Sequence, residues 1–295
     1  MTERRQDTGR TTGPEGAGAL SPAALRALAE DFATRGGDRA RSLLGRARGD
    51  GGAEDLGVHS KSTVTDPVTL VDTGVEQFLR DEVAVRRPGD TVLGEEAGDD
   101  AGGPAAPGGV RWVVDPVDGT VNLLYGLPAT AVSVAAEVDG RVVAGAVHGI
   151  VTGETWSACL GGGAHLTRPD GSRVALRATD CTDPALALVG TGFSYSADVR
   201  AEQGRALAHL LPRVRDIRRS GSAALDLCMV GAGRLDAYFE RCLKPWDHAA
   251  GALVAAEAGA VVTVSDDDAV PTVAAAPGLA RAFREELLRA GVALG

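Results

Sequence analysis

Apolar residues return every three or four positions in two stretches near the start of the chain. Residues 21–45, SPAALRALAEDFATRGGDRARSLLG, open on a Ser-Pro start signal and keep that spacing, which predicts a helix. A second helix is predicted from Asp66-Pro67 onward. It carries Val71, Val75, Phe78, Leu79 and Val83 on one face and stops at Pro88-Gly89. Residues 49–57, GDGGAEDLG, read as the loop between them. The segment before Ser21 is Gly, Thr, Arg and Glu with almost nothing apolar, so residues 1–20 are expected to form a disordered tail.

The period then changes. TVLGEE (91–96) is a short strand ending in acids, AGDDAGGPAAPGG (97–109) a loop, and VRWVV (110–114) a further strand. From Ala129 to about Arg177, five apolar runs alternate with Asp139-Gly140, Thr152-Gly153, Gly161 to Gly163 and Asp170-Gly171. Turn signals at that interval predict an antiparallel meander. After Asp183-Pro184, strands LALVGTGF, RVRDIRR, LDAYFE and AVVTV alternate with helices through AEQGRALAHLL, SAALDLCMVGAG and DHAAGALVAAEAG, closing on the helix GLARAFREELLRA. The sum is a layered α/β protein with two substructures, divided into residues 21–182 and 183–295.

Charge and composition narrow the function. A formal charge of −10 and a pI near 5.0 argue against nucleic-acid or acidic-membrane binding through bulk charge. Arginine greatly outnumbers lysine, which occurs only at Lys61 and Lys244. Cys159, Cys181, Cys228 and Cys242 have neither zinc-type spacing nor a disulfide framework and read as reduced, mostly core residues. With no apolar run of membrane length and no signal peptide, the expected location is the cytoplasm.

The candidate chemistry lies in WVVDPVDGTVNLLYGLP (112–128), which contains Asn122, the only asparagine of the chain. Asp115 and Asp118 follow an apolar strand, and Pro116 between them fixes φ and should end the ladder, so both carboxylates can turn toward one point. Close carboxylates repel unless a cation lies between them. Glu95, Glu96 and Asp247 add further oxygen donors without His or Cys, a set that suits magnesium or manganese. Gly119-Thr120 offers backbone N–H groups and a hydroxyl for an anion such as phosphate. Taken alone, Asp-Pro-x-Asp-Gly also reads as a solvated surface turn. Together with Gly119-Thr120 and the glutamates, it describes metal-assisted attack of water on a phosphate ester.

These residues resemble the inositol monophosphatase family, within the lithium-sensitive, magnesium-dependent phosphatase superfamily. The resemblance rests on ordered motifs: KSTVTDPVTLVDTGVE (61–76), GEE (94–96), DPVDGTVN (115–122), GSAALDL (221–227), AYFE (237–240) and LKPWDHAAG (243–251). It implies alternating α-β-α-β-α layers, with an antiparallel-rich sheet in the N-terminal part and a mixed sheet in the C-terminal part. It also implies two or three Mg2+ ions, with Mn2+ as an alternative. Glu95, Asp115 and the carbonyl of Val117 would hold the first, Asp115, Asp118 and Asp247 the second, and Glu95 would help hold a third through water. Thr120 and Glu95 would activate water, with Asp72 bonded near Thr120 and Lys61 beside the cluster. Gly119 and Thr120 would take phosphate oxygens, and Ala223, Glu240 and Asp247 would contact the substrate.

The implied substrate is a small phosphorylated polyol, first inositol 1-phosphate, and the implied assembly is a homodimer. Histidinol phosphate, fructose 1,6-bisphosphate, adenosine 3′,5′-bisphosphate and NADP remain alternatives, as does a binding role with the transcription machinery. Arg218 and Arg219, just before the substrate-side motif, could meet a second phosphate. His248 reads as helix packing, GAGRLD (231–236) as a helix stop and SDDDA (265–269) as a solvated loop. Asn122 is expected to brace its loop.

Overall fold

Helix α1 (Pro22–Gly49) turns Leu25, Ala29, Phe32, Ala33 and Ala40 inward, the stripe its spacing predicts. This is a computed structural model, and it describes residues 20–49, 56–60, 67–99, 108–265 and 267–295. The expected tail, apart from Leu20, and Lys61 lie outside the described residues. Strands β1 (His59–Ser60) and β2 (Pro67–Val68) pair antiparallel ahead of α2 (Leu70–Arg86). The helix therefore starts later than the Asp66-Pro67 signal suggests. Pro67 is in extended backbone, and the effective start is Thr69, whose hydroxyl accepts from the N–H groups of Val71 and Asp72.

Next come β3 (Thr91–Gly94), β4 (Gly98–Asp99), β5 (Val110–Asp118) and the short helix α3 (Thr120–Leu124). The meander follows as β6 (Ala131–Val138), β7 (Arg141–Gly149), β8 (Thr155–Cys159), β9 (Ala164–Thr167) and β10 (Arg173–Ala175). These form an eight-stranded sheet of order β10-β9-β8-β7-β6-β5-β3-β4, in which the β3–β5 pair is parallel and the others antiparallel.

The C-terminal part comprises β11 (Leu188–Thr191), α4 (Ala197–Leu210), β12 (Asp216–Arg218), α5 (Ala223–Gly231), β13 (Ala237–Glu240), α6 (Pro245–Glu257), β14 (Val261–Thr263), β15 (Thr272–Ala275) and α7 (Ala280–Arg289). Its five-stranded sheet has the order β12-β11-β13-β15-β14, parallel through β12-β11-β13 and antiparallel beyond.

Four apolar clusters bind five layers. Helices α1 and α2 cover one face of the first sheet through Phe32, Val75, Leu79 and Trp112. Helices α5 and α6 fill the space between the sheets, with Ala224 and Val254 against Trp156 and Val147 on one side and Leu227 and Ala255 against Tyr238 on the other. Helix α7 closes the outer face of the second sheet through Phe283 and Leu287. The layered α/β class and the two kinds of sheet are those expected.

Besides the later start of α2 and the pairing of β4 within the stretch 97–109 expected to be loop, two details of the strands differ from the sequence reading. Strand β15 was not anticipated, because PTVAAAPG is a short, Ala-rich run between prolines; its place between β13 and β14 supplies the pairing that propensity alone does not. Strand β5 also does not stop at Pro116. Pairing with β6 is interrupted between Asp115↔Ser133 and resumes at Asp118↔Ala131, so the proline sits in an irregularity of the ladder instead of at its end.

Candidate active site

The β5 irregularity changes the direction of the backbone where two carboxylates meet. Asp115, Val117, Asp118, Gly119 and Thr120 line one side of a cleft of about 480 Å3. Glu95 enters from the turn after β3, Ala223 from the first turn of α5, Glu240 from the end of β13, and Asp247 from the first turn of α6. The fold thus gathers Glu95, Asp115, Asp118, Thr120, Glu240 and Asp247 from remote parts of the sequence. Asp72 lies behind the wall, fully buried beneath Thr120.

Each acid is anchored by local structure. Asp115 Oδ1 accepts from Val117 N at 3.0 Å. Asp118 Oδ2 accepts from Ser222 Oγ at 2.6 Å and Ala224 N at 2.7 Å, so the start of α5 fixes it. Asp247 Oδ2 accepts from Lys244 N at 2.6 Å, closing the first turn of α6. The turn carrying Glu95 is held by Glu76 of α2, which accepts from Glu96 N at 2.7 Å and Ala97 N at 2.9 Å while paired with Arg80 at 2.9 Å. Gly94 is required there, because a Cβ would lie 2.5 Å from the Glu76 carboxyl.

Thr120 and Asp72 form a relay. Thr120 Oγ1 lies 2.7 Å from Asp72 Oδ1 and 3.2 Å from the Val117 carbonyl; the shorter bond, to a carboxylate, takes the single hydroxyl proton. Asp72 Oδ2 accepts from Thr69 N at 3.0 Å and from the Thr69 hydroxyl, so the cap of α2 orients the carboxylate toward Thr120. Asn122 braces the loop as expected. Its Nδ2 donates to Ala129 O at 2.7 Å and to Ser220 O at 2.9 Å, joining this loop to the start of α5.

The electrostatics follow from burial. Desolvation, then repulsion from Glu95 and Asp118, pushes Asp115 well above the usual carboxylate range. Desolvation also raises Asp247, opposed by its bond from Lys244 N. It takes Asp118 up to about 6 despite the Ser222 and Ala224 bonds. Repulsion among acids arranged this way is relieved by a cation placed between them. Their all-oxygen donor set fits a hard divalent cation, although among the described residues no three His, Cys, Asp or Glu groups stand together as a finished cage.

Several contributors escaped the sequence reading. Glu76 stood inside a recognised motif without a role, and Ser222 was read only as a motif position. Tyr238 donates to Glu240 Oε2 at 2.6 Å, and burial takes Glu240 up to about 7. The loop Gly192 to Ser196 forms the far wall. Gly192 lets the Glu240 carboxyl lie against the backbone, since a Cβ there would have to displace it. Of the two arginines, Arg219 lines the cleft, whereas Arg218 pairs outward with Asp216 at 2.5 Å. His248 is buried beside the helix start, and Cys159 and Cys228 are core while Cys181 and Cys242 are half-buried; all four thiols are free.

The model of the inositol monophosphatase family matches residues 24–291. An inositol-1-monophosphatase of Mycobacterium bovis is 52% identical over 279 residues, covering 91% of this chain and 93% of that protein. A protein named Nus factor SuhB, from Salmonella typhimurium, is 38% identical over 205 residues, covering 69% and 74%. Among solved structures, Mycobacterium tuberculosis SuhB superposes with a TM-score of 0.78 at 47% identity, covering 92% of this chain and 98% of that one.

Proposed function

The chain belongs to the inositol monophosphatase family, phosphatases that hydrolyse phosphomonoesters, and from that premise we propose that it releases phosphate from inositol 1-phosphate with Mg2+. The observation that carries the reading is the convergence of Glu95, Asp115, Asp118 and Asp247 beside the Thr120–Asp72 relay in one cleft. Glu95, Asp115 and the Val117 carbonyl would hold one ion, and Asp115, Asp118 and Asp247 another. Such ions supply Lewis-acid polarisation and neutralise charge on the phosphate and the leaving oxygen.

The chain's own groups do the rest. Thr120 donates its hydroxyl hydrogen bond to Asp72, so an oxygen lone pair can accept a hydrogen bond from a water in the cleft and orient it, and Glu95 is the base that takes the one proton the water loses. Backbone N–H groups of Gly119 and Thr120 hold phosphate oxygens; Gly119, at φ 100°, permits this turn, and a Cβ there would lie 2.6 Å from Ala129 O. Ala223 leaves room for the alcohol, while Glu240 accepts from its ring hydroxyls, positioned by Tyr238.

The test is phosphate release from a panel of inositol 1-phosphate, histidinol phosphate, fructose 1,6-bisphosphate, adenosine 3′,5′-bisphosphate and NADP, with Mg2+ or Mn2+ and with lithium. Inositol 1-phosphate should lead, lithium should inhibit, and Asp118→Asn should abolish turnover with the fold intact. Unchanged turnover at saturating Mg2+ would sink the assignment. More than tenfold preference for a bisphosphate would move the substrate.

The wider setting has its own support. Among the described residues no helix is long and apolar enough to cross a membrane, and the four free thiols suit the reducing cytoplasm. Tyr125, Leu127 and Val151 are 78%, 51% and 61% exposed on loops joined by Ile150 N to Thr130 O, an apolar face suited to a homodimer and readable by light scattering. The similarity to a Nus factor favours one further reading, association with the transcription machinery. A pull-down with Asp118→Asn separates it, because binding should survive loss of turnover.

A further inference from the structure

Beside the catalytic cleft lies a second cavity of about 350 Å3, set between α4, the ends of β11 and β13, and the turn after α7. No motif of the chain points to it. Its apolar lining comes from Phe193, Ala206, Leu207, Phe239, Ala290 and Val292. The two cavities share Gly192, Phe193, Glu240 and Arg241 as a common wall. A volume of this size, lined by these six apolar side chains and by polar groups in comparable measure, falls in the range of a small-molecule site.

The polar edge sets the sign of the ligand. Glu202 is paired with Arg241 at 3.2 Å, and Glu240 accepts from Tyr238, so both carboxylates are engaged. Arg205 also lines the cavity, is exposed, and has no carboxylate partner among the described residues. A partly apolar chamber with one uncommitted guanidinium in its lining suits an amphipathic anion.

Helix α4 connects this chamber to the catalytic cleft. Of its fourteen residues only Leu210 is buried, so it is weakly held to the core. Yet its inner side grips the cleft wall: Arg200 donates to Ser194 O at 2.9 Å, Gln203 Oε1 accepts from Ser194 N at 3.0 Å, and Glu202 holds Arg241. Ser194 and Arg241 line the catalytic cleft, while Glu202 and Gln203 line the second chamber. A ligand that displaces α4 must shift Ser194 or Arg241.

We propose that this chamber is a regulatory site for a small aryl or alkyl anion, whose apolar body occupies the Phe193–Phe239 space, whose charge meets Arg205, and whose effect reaches the cleft through α4.

The probe is 8-anilinonaphthalene-1-sulfonate, an aryl anion that fluoresces on entering an apolar site. The full chain should bind one equivalent saturably. Ala206→Trp and Ala290→Trp fill the chamber and should each weaken binding at least tenfold, with an unchanged Tm confirming the fold; either variant suffices if the other fails to fold. Arg205→Gln should weaken binding several-fold and reduce its salt dependence. Saturating probe should change KM for phosphate release by threefold or more in the wild type and not in the filled variants, whose basal turnover stays normal. Absence of binding, or equal binding to a folded filled variant, overturns the site. Binding without a kinetic change in a chain that turns over substrate overturns the regulatory role. The binding arm stands apart from the proposed phosphatase reaction, so failure of one does not imply failure of the other.

Discussion

Asn122 shows how one side chain can hold the loop that lines the cleft. Its two donated bonds satisfy the carbonyls of Ala129 and Ser220, where the loops carrying Gly119 and Gly221 approach each other. Asn122→Ala leaves both carbonyls short of a partner, and a buried group left unpaired costs roughly 1–3 kcal/mol. Urea unfolding should show a loss of about 2 kcal/mol, with kcat/KM for phosphate release falling as well; an unchanged midpoint would remove the bracing role. His148 is a second case, away from the cleft. It is 3% exposed, contacts Thr155 Oγ1 at 2.8 Å and Arg41 at 3.3 Å, and desolvation, then the Arg41 charge, lowers it from 6.5 to about 4. The unfolded chain therefore binds the proton first as pH falls. Stability from the neutral ring is fully present above pH 6.5 and is lost down to about 4, by a total of about 3 kcal/mol. Replacing it as His148→Gln should flatten that part of a stability-against-pH curve measured by urea unfolding. An unaltered slope would place the acid sensitivity elsewhere.

At the scale of elements, helix starts do most of the positioning. The cap of α2 aims Asp72 at Thr120, the start of α5 fixes Asp118, and the first turn of α6 carries Asp247. One turn further into α2, Glu76 holds the Glu95 turn through two main-chain bonds. Glu76→Ala should raise the Mg2+ concentration for half-maximal activity at least tenfold, because Glu95 loses its support while every cleft carboxylate remains. A normal metal titration in a folded variant would count against that chain of contacts. These contacts mark the limit of what the sequence makes legible. Asp115 and Asp118 could be read because a strand pattern, a proline and a Gly-Thr step lie within six residues. Glu76 could not, since its partners are backbone N–H groups about twenty residues away and its spacing is that of an ordinary helical residue. The same holds for β15, whose Ala-rich run becomes a strand only between β13 and β14, and for the second chamber, whose walls come from α4, two strands and the C-terminal turn.

For the whole molecule, the layers place acids from both sheets in a cleft where their charges oppose the fold. The sign of that opposition is set by linkage. Carboxylates raised above 3.8, Asp118 to about 6 and Asp115 and Asp247 well above their ordinary range, bind protons more readily in the folded chain than in the unfolded one. Their contribution is most favourable below about pH 4 and is lost as pH rises through the folded values. His148 acts in the opposite direction between 6.5 and about 4, but one ring does not offset three raised carboxylates, so the metal-free chain should lose stability as pH rises through mildly acid values. A divalent cation changes only the carboxylate arm, because it competes with protons for the same oxygens and replaces repulsion with attraction. At a hundred times its Kd, a ligand that binds the folded state alone adds about 2.7 kcal/mol. The increase in Tm on replacing EDTA with saturating Mg2+ should therefore be small at pH 5, grow through pH 6 to 7, and level off near pH 8. Asp118→Asn should shrink that increment at every pH while the His148 arm persists. An increment independent of pH, or one equal in Asp118→Asn, would mean that the ion binds away from these acids, and the cleft would then need another explanation for holding its carboxylates together.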